Sequence, residues 1–320
     1  EKAWGRPLPN KPGLTATEMT AAMLDGRLKG LYIFGENPAL SDPNSNHSRK
    51  AFANLDFLVV QDIFMTETAQ LADVVLPGAS FAEKEGTFTS SERRVQRVRQ
   101  AIEPPGQARS DLWIIDQLWR RLSEDEGYGD PPQAERIFTE VAALWPGIAG
   151  MSYRRLEEDG LQWPCPAEDH PGTDYLFKED FNRPGGRALF SAVPFVSSGE
   201  LPDRDYPLLL TTGRELFHYH TGTMTRRSAG LNAAAPEAFV ELSELDADIL
   251  GISDGEMVAV SSRRGAIRLK ARVGAMVPRG VVFIPFHYRE AAANLLTNDA
   301  MDPTCKIMEA KVCAVRITKG

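Results

Sequence analysis

Three short apolar runs in the first third of the chain constrain the fold most, because each is followed at once by polar or turn-forming residues. They are Leu31–Phe34, Phe57–Val60 and Val74–Leu76, followed by Gly35, by Gln61 and Asp62, and by Pro77. A segment with helical spacing, residues 46–55, lies between the first two runs. Continuous apolar strands of this kind predict a parallel sheet that is buried on both faces by helices.

Such sheets bind ligands at the edge where the carboxyl ends of their strands meet. This places Gly35, Glu36, Asp62 and Gly78 along one rim. Asp62 can accept two parallel hydrogen bonds from a purine edge such as that of guanine, or it can cap a helix. Thr66 begins a predicted helix N-terminus, which favours either a phosphate or the threonine hydroxyl as a cap.

The second half of the chain is predicted to be mainly β. Strand-like runs over residues 208–212, 258–262, 266–273 and 281–285 accompany one clear helix, Leu242–Leu250. Between the two halves, residues 127–205 contain many Pro and Gly residues, which predict an irregular connecting region.

The richest polar segment follows the strand at residues 208–212. Arg214 offers a planar fork of donors suited to phosphate or a polar heterocycle, and His218 and His220 share a face if the backbone is extended. A His-x-His metal site is the alternative, although no third ligand is nearby in the sequence. A second basic segment, from Arg93 to Arg99, is compatible with phosphate binding, a solvated strand or an intersubunit salt-bridge surface.

Composition excludes several classes of function. With 36 basic and 44 acidic residues the net charge is -8, which opposes non-specific binding to nucleic acid or to an anionic membrane. No apolar run approaches the roughly 18 residues of a membrane span. The three cysteines are too few and too far apart for a zinc site or an iron-sulfur cluster. Gly-rich phosphate loops are absent, so the residues by themselves indicate a two-domain ligand-binding protein.

Several segments together resemble the C-terminal half of the large subunit of molybdenum- or tungsten-containing formate dehydrogenases, within the molybdopterin oxidoreductase family. The resemblance is carried by residues 35–38, 59–69, 72–77, 83–88, 92–96, 211–215, 218–219, 246–255, 292–298 and 311–316. It extends from about Ala3 to Ile317, nearly the whole chain. A complete member of the family has a further, N-terminal half.

The resemblance implies an α/β fold in which a doubly wound, mostly parallel sheet domain is followed by a C-terminal double-psi-type β-barrel. The expected domains are an α/β molybdopterin oxidoreductase domain at 1–126, the connecting region at 127–205 and a dinucleotide-binding barrel at 206–320. The implied cofactor is bis(molybdopterin guanine dinucleotide) with molybdenum or tungsten. By this resemblance, Glu36, Asp62 and Thr66 contact one guanosine. The contacts that it implies around the other pterin and its phosphates are Arg214, Glu215, His218, His220, Asn294 and Lys311. Cofactor contacts are also expected at Gly35, Asn37, Gln61 and Gly213.

The implied reaction is oxidation of formate to carbon dioxide. The resemblance assigns no catalytic and no metal-ligating residue to this chain, which is therefore not expected to be active alone. The iron-sulfur cluster and the metal ligand are expected on an N-terminal half or partner chain, with electron-transfer subunits as further partners and no nucleic acid. A cytoplasmic location is expected, with the periplasm open because the sequence starts at Glu1. The alternatives are another family member, such as an assimilatory nitrate reductase, and a non-catalytic cofactor-binding chain.

Overall fold

The computed structural model describes residues 1–123 and 126–320. Glu124 and Asp125, just before the expected domain limit at residue 126, lie outside the described residues. The chain divides into two compact units. The hairpin unit comprises residues 1–11, 61–63 and 76–194, and the barrel unit comprises residues 12–60, 64–75 and 195–320.

The three apolar runs form a three-stranded sheet with the order β1-β2-β3. Its strands are β1 (Gly30–Phe34), β2 (Phe57–Asp62) and β3 (Val74–Pro77). Just before β1 and β2 begin, the backbone N–H of Asp56 donates to the carbonyl of Lys29. Where β2 and β3 end, the N–H of Gly78 donates to the carbonyl of Asp62. Neighbouring strands therefore run in the same direction. The predicted parallel sheet is therefore confirmed.

Three helices accompany this sheet: α1 (Ala16–Leu24), α2 (Pro38–Ser41) and α3 (Ser45–Ala53). Thr15 begins α1 in a capping box with Glu18. Met23 and Phe52 of α1 and α3 pack with Leu58 and Val60 of β2. The expected burial of both faces is wrong for Tyr32, Phe34, Phe57 and Val74, which remain more than a third exposed.

The hairpin unit has its own core and a small antiparallel sheet. The strands are β4 (Gly86–Thr89), β5 (Arg94–Val98) and β6 (Leu161–Gln162), and the helices are α4 (Asp111–Ser123) and α5 (Ala134–Leu144). The buried apolar residues of this core are Val95, Phe138, Ala142, Ile148, Met151, Tyr153, Leu156 and Cys165. Part of the region expected to connect the two domains thus contributes to a core of its own.

The last 120 residues of the chain contain a closed six-stranded barrel with the order β10-β8-β11-β7-β12-β9. Its strands are β7 (Leu208–Gly213), β8 (Phe239–Ser243), β9 (Met257–Ser261), β10 (Ala266–Gly274), β11 (Val281–Pro285) and β12 (Cys313–Lys319). The pairs β7/β11 and β8/β10 are parallel, and the other four are antiparallel. Alternate residues fill the interior, as the pattern along β10 illustrates.

Two helices interrupt the barrel strands: α6 (Ala229–Ala234) and α7 (Glu244–Leu250). The Ser243 hydroxyl accepts the N–H of Asp246 and begins α7, and Gly251 ends it in the left-handed region. A parallel α/β sheet followed by a closed barrel is the fold class expected from the sequence, which is confirmed. Among the described residues, the longest helices are too short or too polar to span a bilayer.

Candidate functional site

A loop at the carboxyl end of β7 gathers most of the predicted barrel residues. We call residues 214–220 the barrel loop. It begins beyond Gly213, where a side chain is excluded because a Cβ atom there would lie 2.5 Å from the ring of Phe283. The loop ends at His220, which has a φ of 49°, a left-handed conformation that non-glycine residues rarely adopt. The backbone at both ends of the loop is therefore tightly constrained.

Two cations flank one aromatic ring beside this loop. The guanidinium carbon of Arg214 lies 5.7 Å from the ring centre of Phe286, and the ammonium nitrogen of Lys311 lies 5.0 Å from it. Lys311 also donates to the carbonyl of Thr212, at 2.7 Å. Burial, together with the charge of Arg214, lowers the pKa of Lys311. Two positive charges held this close together favour an anion beside them.

Two residues after β11 support the barrel loop from beneath. The backbone N–H of Glu215 donates to Nε2 of His287, at 2.8 Å, and Nδ1 of His287 donates to the carbonyl of His220. The Tyr288 hydroxyl donates to Oε2 of Glu215, at 2.7 Å. These contacts join residues about 70 positions apart, so no local pattern in the sequence identifies His287 and Tyr288 as site residues.

His218 lies inside the protein rather than on the open side of the loop. It is 4% exposed, and its Nε2 donates to the carbonyl of Ala235, at 2.7 Å. Its Nδ1 lies 3.2 Å from the hydroxyl of Thr225. His220, by contrast, is exposed. The two histidines therefore do not act as a metal-binding pair, and no group of three or more His, Cys, Asp or Glu side chains among the described residues is arranged to hold a metal ion.

A polar cleft of about 170 Å³ lies next to the loop within the barrel unit. Its lining includes Glu67, Thr221, Thr223, Arg226, Arg227 and Arg289. Arg226 pairs through Nη2 with Glu290, at 2.8 Å, but its Nε and Nη1 are buried and have no hydrogen-bond partner among the described residues. A partly buried guanidinium in which two nitrogens are buried and unpaired favours an acceptor in the cleft. The adjacent Arg226 and Arg227 are the one signal in the sequence that points to this cleft.

Gly222 allows this cleft to form. Its φ is 73°, and a Cβ atom on it would lie 2.5 Å from the carbonyl oxygen of His287 and 2.6 Å from Cγ of Arg226. No side chain larger than hydrogen fits between them without displacing backbone. The turn after the barrel loop therefore depends on glycine at this position.

The rim after β1 is held by hydrogen bonds within the barrel unit. The side-chain oxygen of Asn37 accepts from the N–H and the hydroxyl of Thr68, at 3.1 and 2.8 Å. Its amide nitrogen donates to Glu67, at 2.8 Å, and to Thr223, at 3.2 Å. Asn37 is 7% exposed, so its amide joins the rim to the turn after the barrel loop. Asn294 similarly donates to the carbonyls of Leu40 and Ser41, at 3.1 and 2.9 Å.

Other predicted residues at this rim differ in exposure. Gly35 and Glu36 are both exposed, and Gly35 has a φ of 63°. Thr66 is fully buried, and its hydroxyl accepts the N–H of Ala69, at 3.1 Å, before a short 3-10 helix at Ala69–Leu71. The capping alternative for Thr66 is thus the one observed. Its role as a cofactor contact stays a prediction.

Gln61 and Asp62 belong to the hairpin unit. Gln61 is fully buried and donates to Oδ1 of Asp111, at 2.7 Å. Asp111 also pairs with Lys84. Asp62 is half-buried, and its carbonyl accepts the N–H of Gly78, at 3.0 Å. The carboxylate of Asp62 stays the predicted guanine acceptor.

The arginine segment on β5 is used within the hairpin unit. Arg94 pairs with Glu92, Arg97 pairs with Glu85 and Glu157, and Arg99 pairs with Glu157. Arg93 donates to the carbonyls of Trp163 and Thr173. These pairs favour a structural role for the segment over phosphate binding.

Two family models match the chain. Residues 5–121 match the molybdopterin oxidoreductase family, and residues 208–314 match the molydopterin dinucleotide binding domain. The second match contains the barrel loop, Gly222 and Arg226. The first contains the rim after β1.

Curated relatives extend these matches over the whole chain. The chain is 51% identical to an F420-dependent formate dehydrogenase subunit alpha of Methanocaldococcus jannaschii, over 100% of this chain and 47% of that protein. It is 43% identical to the assimilatory nitrate reductase catalytic subunit of Bacillus subtilis, over 99% of this chain and 46% of that protein. It is 36% identical to formate dehydrogenase H of Escherichia coli, over 99% and 44%. The chain spans about half the length of the curated relatives it matches.

A solved structure has a similar fold. The acetylene hydratase from Pelobacter acetylenicus matches 95% of this chain and 46% of its own, with a TM-score of 0.73 and 21% sequence identity. At this identity the likeness concerns the fold alone. It covers both the α/β and the barrel regions, since it includes nearly the whole chain.

Proposed function

We propose, on the premise that the chain belongs to the molybdopterin oxidoreductase family, that it is the cofactor-binding half of a formate dehydrogenase. The observation that carries this proposal is the cationic cluster beside the barrel loop, Arg214 with Lys311, next to a cleft in which Arg226 has two unpaired buried nitrogens. Formate is proposed as the substrate because the relatives at 51% and 36% identity are formate dehydrogenases.

The side chains present fit a molybdopterin guanine dinucleotide. Its pyrophosphate is a compact anion, which requires positive charge and N–H donors when it is removed from water. Arg214 and Lys311 supply that charge at the barrel loop, and Arg226, Arg227 and Arg289 supply it in the cleft. Glu67 and Glu290 balance part of the charge of the cleft. We assign Glu36, Asp62 and Thr66 to one guanosine and the barrel loop to the second pterin, as the resemblance implies.

The bound cofactor, with molybdenum or tungsten, supplies the two-electron chemistry that converts formate to carbon dioxide and a proton. This chain holds and orients it. Arg214 and Lys311 bind and orient its anionic groups, and the buried Asn37 and Asn294 amides keep the surrounding backbone in place. We assign the iron-sulfur cluster and the metal ligand to an N-terminal half or a partner chain, with electron-transfer subunits as further partners.

A direct test is analysis of the natively isolated protein. We expect molybdenum or tungsten in stoichiometric amount, together with a pterin and guanine after acid release. Formate should reduce a redox dye. F420 is the second electron acceptor to assay. A protein that contains metal and pterin but does not oxidise formate contradicts the assigned substrate. A protein that never contains pterin contradicts the assigned cofactor and, with it, the non-catalytic cofactor-binding alternative.

Nitrate reduction is the second candidate, because the relative at 43% identity is an assimilatory nitrate reductase. The same test separates the two. Nitrate-dependent oxidation of a reduced dye, without formate-dependent reduction of the oxidised dye, favours the nitrate reductase. The formate dehydrogenase relative has the higher identity, 51%, which is why formate is the first choice.

A further inference from the structure

His287 connects the two ends of the barrel loop. It is 1% exposed and follows the end of β11 at Pro285. One ring nitrogen bonds to the backbone N–H of Glu215, at the start of the loop, and the other bonds to the carbonyl of His220, at its end. A single imidazole ring therefore determines the separation between the two ends.

These two partners determine the protonation of the ring. A backbone N–H only donates, so Nε2 of His287 accepts and carries no proton. A carbonyl oxygen only accepts, so Nδ1 carries the proton. Both bonds form together only in the neutral imidazole with its proton on Nδ1. His218 has the opposite arrangement, because its Nε2 donates to the carbonyl of Ala235.

The surroundings of His287 keep it in this position. Tyr288 donates to the carboxylate of Glu215, at 2.7 Å, which holds the side chain of the first bonded residue as well as its backbone. Gly222 packs against the carbonyl of His287 with no room for a side chain. The strained φ of His220, 49°, is maintained by the bond that its carbonyl accepts.

We propose that His287 is a positioning residue that bridges Glu215 and His220 as a neutral Nδ1–H imidazole and thereby holds Arg214 and His220 in the orientation that binds the cofactor. This inference rests on the proposed function for its ligand, a dinucleotide with an anionic pyrophosphate. His287 itself does not contact the reacting atoms. Its effect is exerted through the backbone of the loop.

Acid should release the bridge. Protonation places a hydrogen on Nε2, which then faces the N–H of Glu215, so two donors oppose each other. Burial, followed by the charges of His218 and Arg214, lowers the pKa of His287, against the bond to His220 and the charge of Glu215. The folded state therefore disfavours the proton, and the stabilisation from the bridge is complete above the ordinary histidine pKa and decreases as the pH falls below it. The titratable and charged groups facing His287 are Glu67, Arg214, Glu215, His218, His220, Arg226, Tyr288, Arg289 and Glu290.

The experiment compares His287→Ala with His287→Gln in the natively isolated protein. The amide of Gln has one NH2 donor group and one acceptor oxygen at its end but does not titrate near neutral pH. We expect His287→Ala to lower the molybdopterin content at pH 7.5 by about tenfold, since two buried bonds are lost. We expect His287→Gln to retain it within about twofold. Loss of cofactor from the unsubstituted protein between pH 7.5 and 5.5 should disappear in His287→Gln.

His170→Gln is the matched control, because His170 is a half-buried histidine of the hairpin unit. It should leave both the cofactor content and its pH dependence unchanged. Equal cofactor content in His287→Ala and the unsubstituted protein, at equal far-ultraviolet circular dichroism, overturns the proposal. So does a pH dependence that persists in His287→Gln.

Histidine-selective nitrogen NMR keeps this test separate from the proposed function. The chain has only 5 histidines, so each is assignable by substitution. We expect the Nδ1–H form for His287 and the Nε2–H form for His218, even in protein stripped of cofactor. An Nε2–H form for His287 overturns the bridge. Absence of pterin from every preparation, with the Nδ1–H form present, contradicts the proposed function and leaves the bridge intact.

Discussion

The rim after β1 and the barrel loop have the same predicted role but use their hydrogen bonds in opposite ways. At the rim, the Asn37 amide makes four hydrogen bonds within the protein and the Thr66 hydroxyl caps a 3-10 helix. In the barrel loop, the bonds to His287 hold the backbone, while the side chains of Arg214 and His220 stay exposed.

The difference follows from burial. A buried polar group must find partners inside the protein, so side chains such as Asn37 shape the backbone around a ligand rather than reach it. An exposed cation keeps its donors available. A list of site residues in a sequence therefore combines two classes, those that build the site and those that contact its ligand, and substitution should affect stability in the first class and ligand retention in the second.

The largest expected effect concerns Arg214 of the barrel loop and Lys311 beside it. Arg214→Ala combined with Lys311→Met should lower cofactor content by about a hundredfold or more, since hydrogen bonds to charged groups contribute about 1.5–3 kcal/mol each. Lys311→Met keeps the apolar stem near Phe286. Cofactor content is measured as pterin fluorescence per protein, with Lys270→Met on β10 as the control. A loss below threefold contradicts the assignment of these cations to the cofactor.

Next, Asn37→Ala should lower the free energy of unfolding by about 3 kcal/mol, because four hydrogen bonds, two buried and two partly buried, lose one partner. Urea unfolding measures it. The neighbouring Glu36→Ala removes an exposed side chain and should change stability by less than about 0.5 kcal/mol. Equal losses of stability in the two variants would contradict the distinction, at the rim, between residues that build the site and residues that contact its ligand.

A smaller effect is expected at Asp62. Asp62→Ala should reduce cofactor content about tenfold by removing the acceptor for guanine. The exposed Asp56→Ala, before β2, serves as the control for loss of a carboxylate. Unchanged cofactor content in Asp62→Ala refutes the guanine assignment, even if the barrel-loop cations are confirmed.

The rim should also show a pH dependence, which concerns stability rather than cofactor content. Burial, and then the charge of Glu36, raises the pKa of Asp42 to about 6. Since the folded state holds this proton more tightly than the unfolded state, the contribution of Asp42 to stability decreases as the pH rises from about 4 to 6. Asp42→Asn should remove that decrease, which amounts to about 3 kcal/mol for a rise of about two pKa units. If the variant and the unsubstituted protein have identical stability profiles from pH 4 to 7, the pH dependence does not come from Asp42.

Local patterns in the sequence predicted much of the fold. The apolar runs at residues 31–34, 57–60 and 74–76 are strands within two residues at each end, because continuous apolar runs bounded by turn residues leave few alternatives. The small sheet of the hairpin unit was not predicted, although a solvated strand was one of three alternatives for the segment that forms β5. Its strand β5 carries arginines, and β6 has only two residues, so neither has a clear periodic pattern.

The candidate site was predicted in part. The polar segment after β7 was identified because a strand that ends in glycine and many hydrogen-bonding side chains is rare in purely structural loops. His287, Tyr288 and Arg226 were not identified. Each acts through residues that are remote in sequence or through a cleft that exists only in the folded barrel unit.

The sequence by itself determined the order of the strands and helices, the glycines on which the close approaches depend, and the family to which the chain belongs. The tertiary structure decided which polar side chains form hydrogen bonds within the protein and which stay available to a ligand. That outcome depends on burial and on partners brought together by parallel pairing of β7 with β11, which places His287 beneath a loop about 70 residues earlier in the chain. Such pairing is a property of the closed barrel, and no local pattern encodes it.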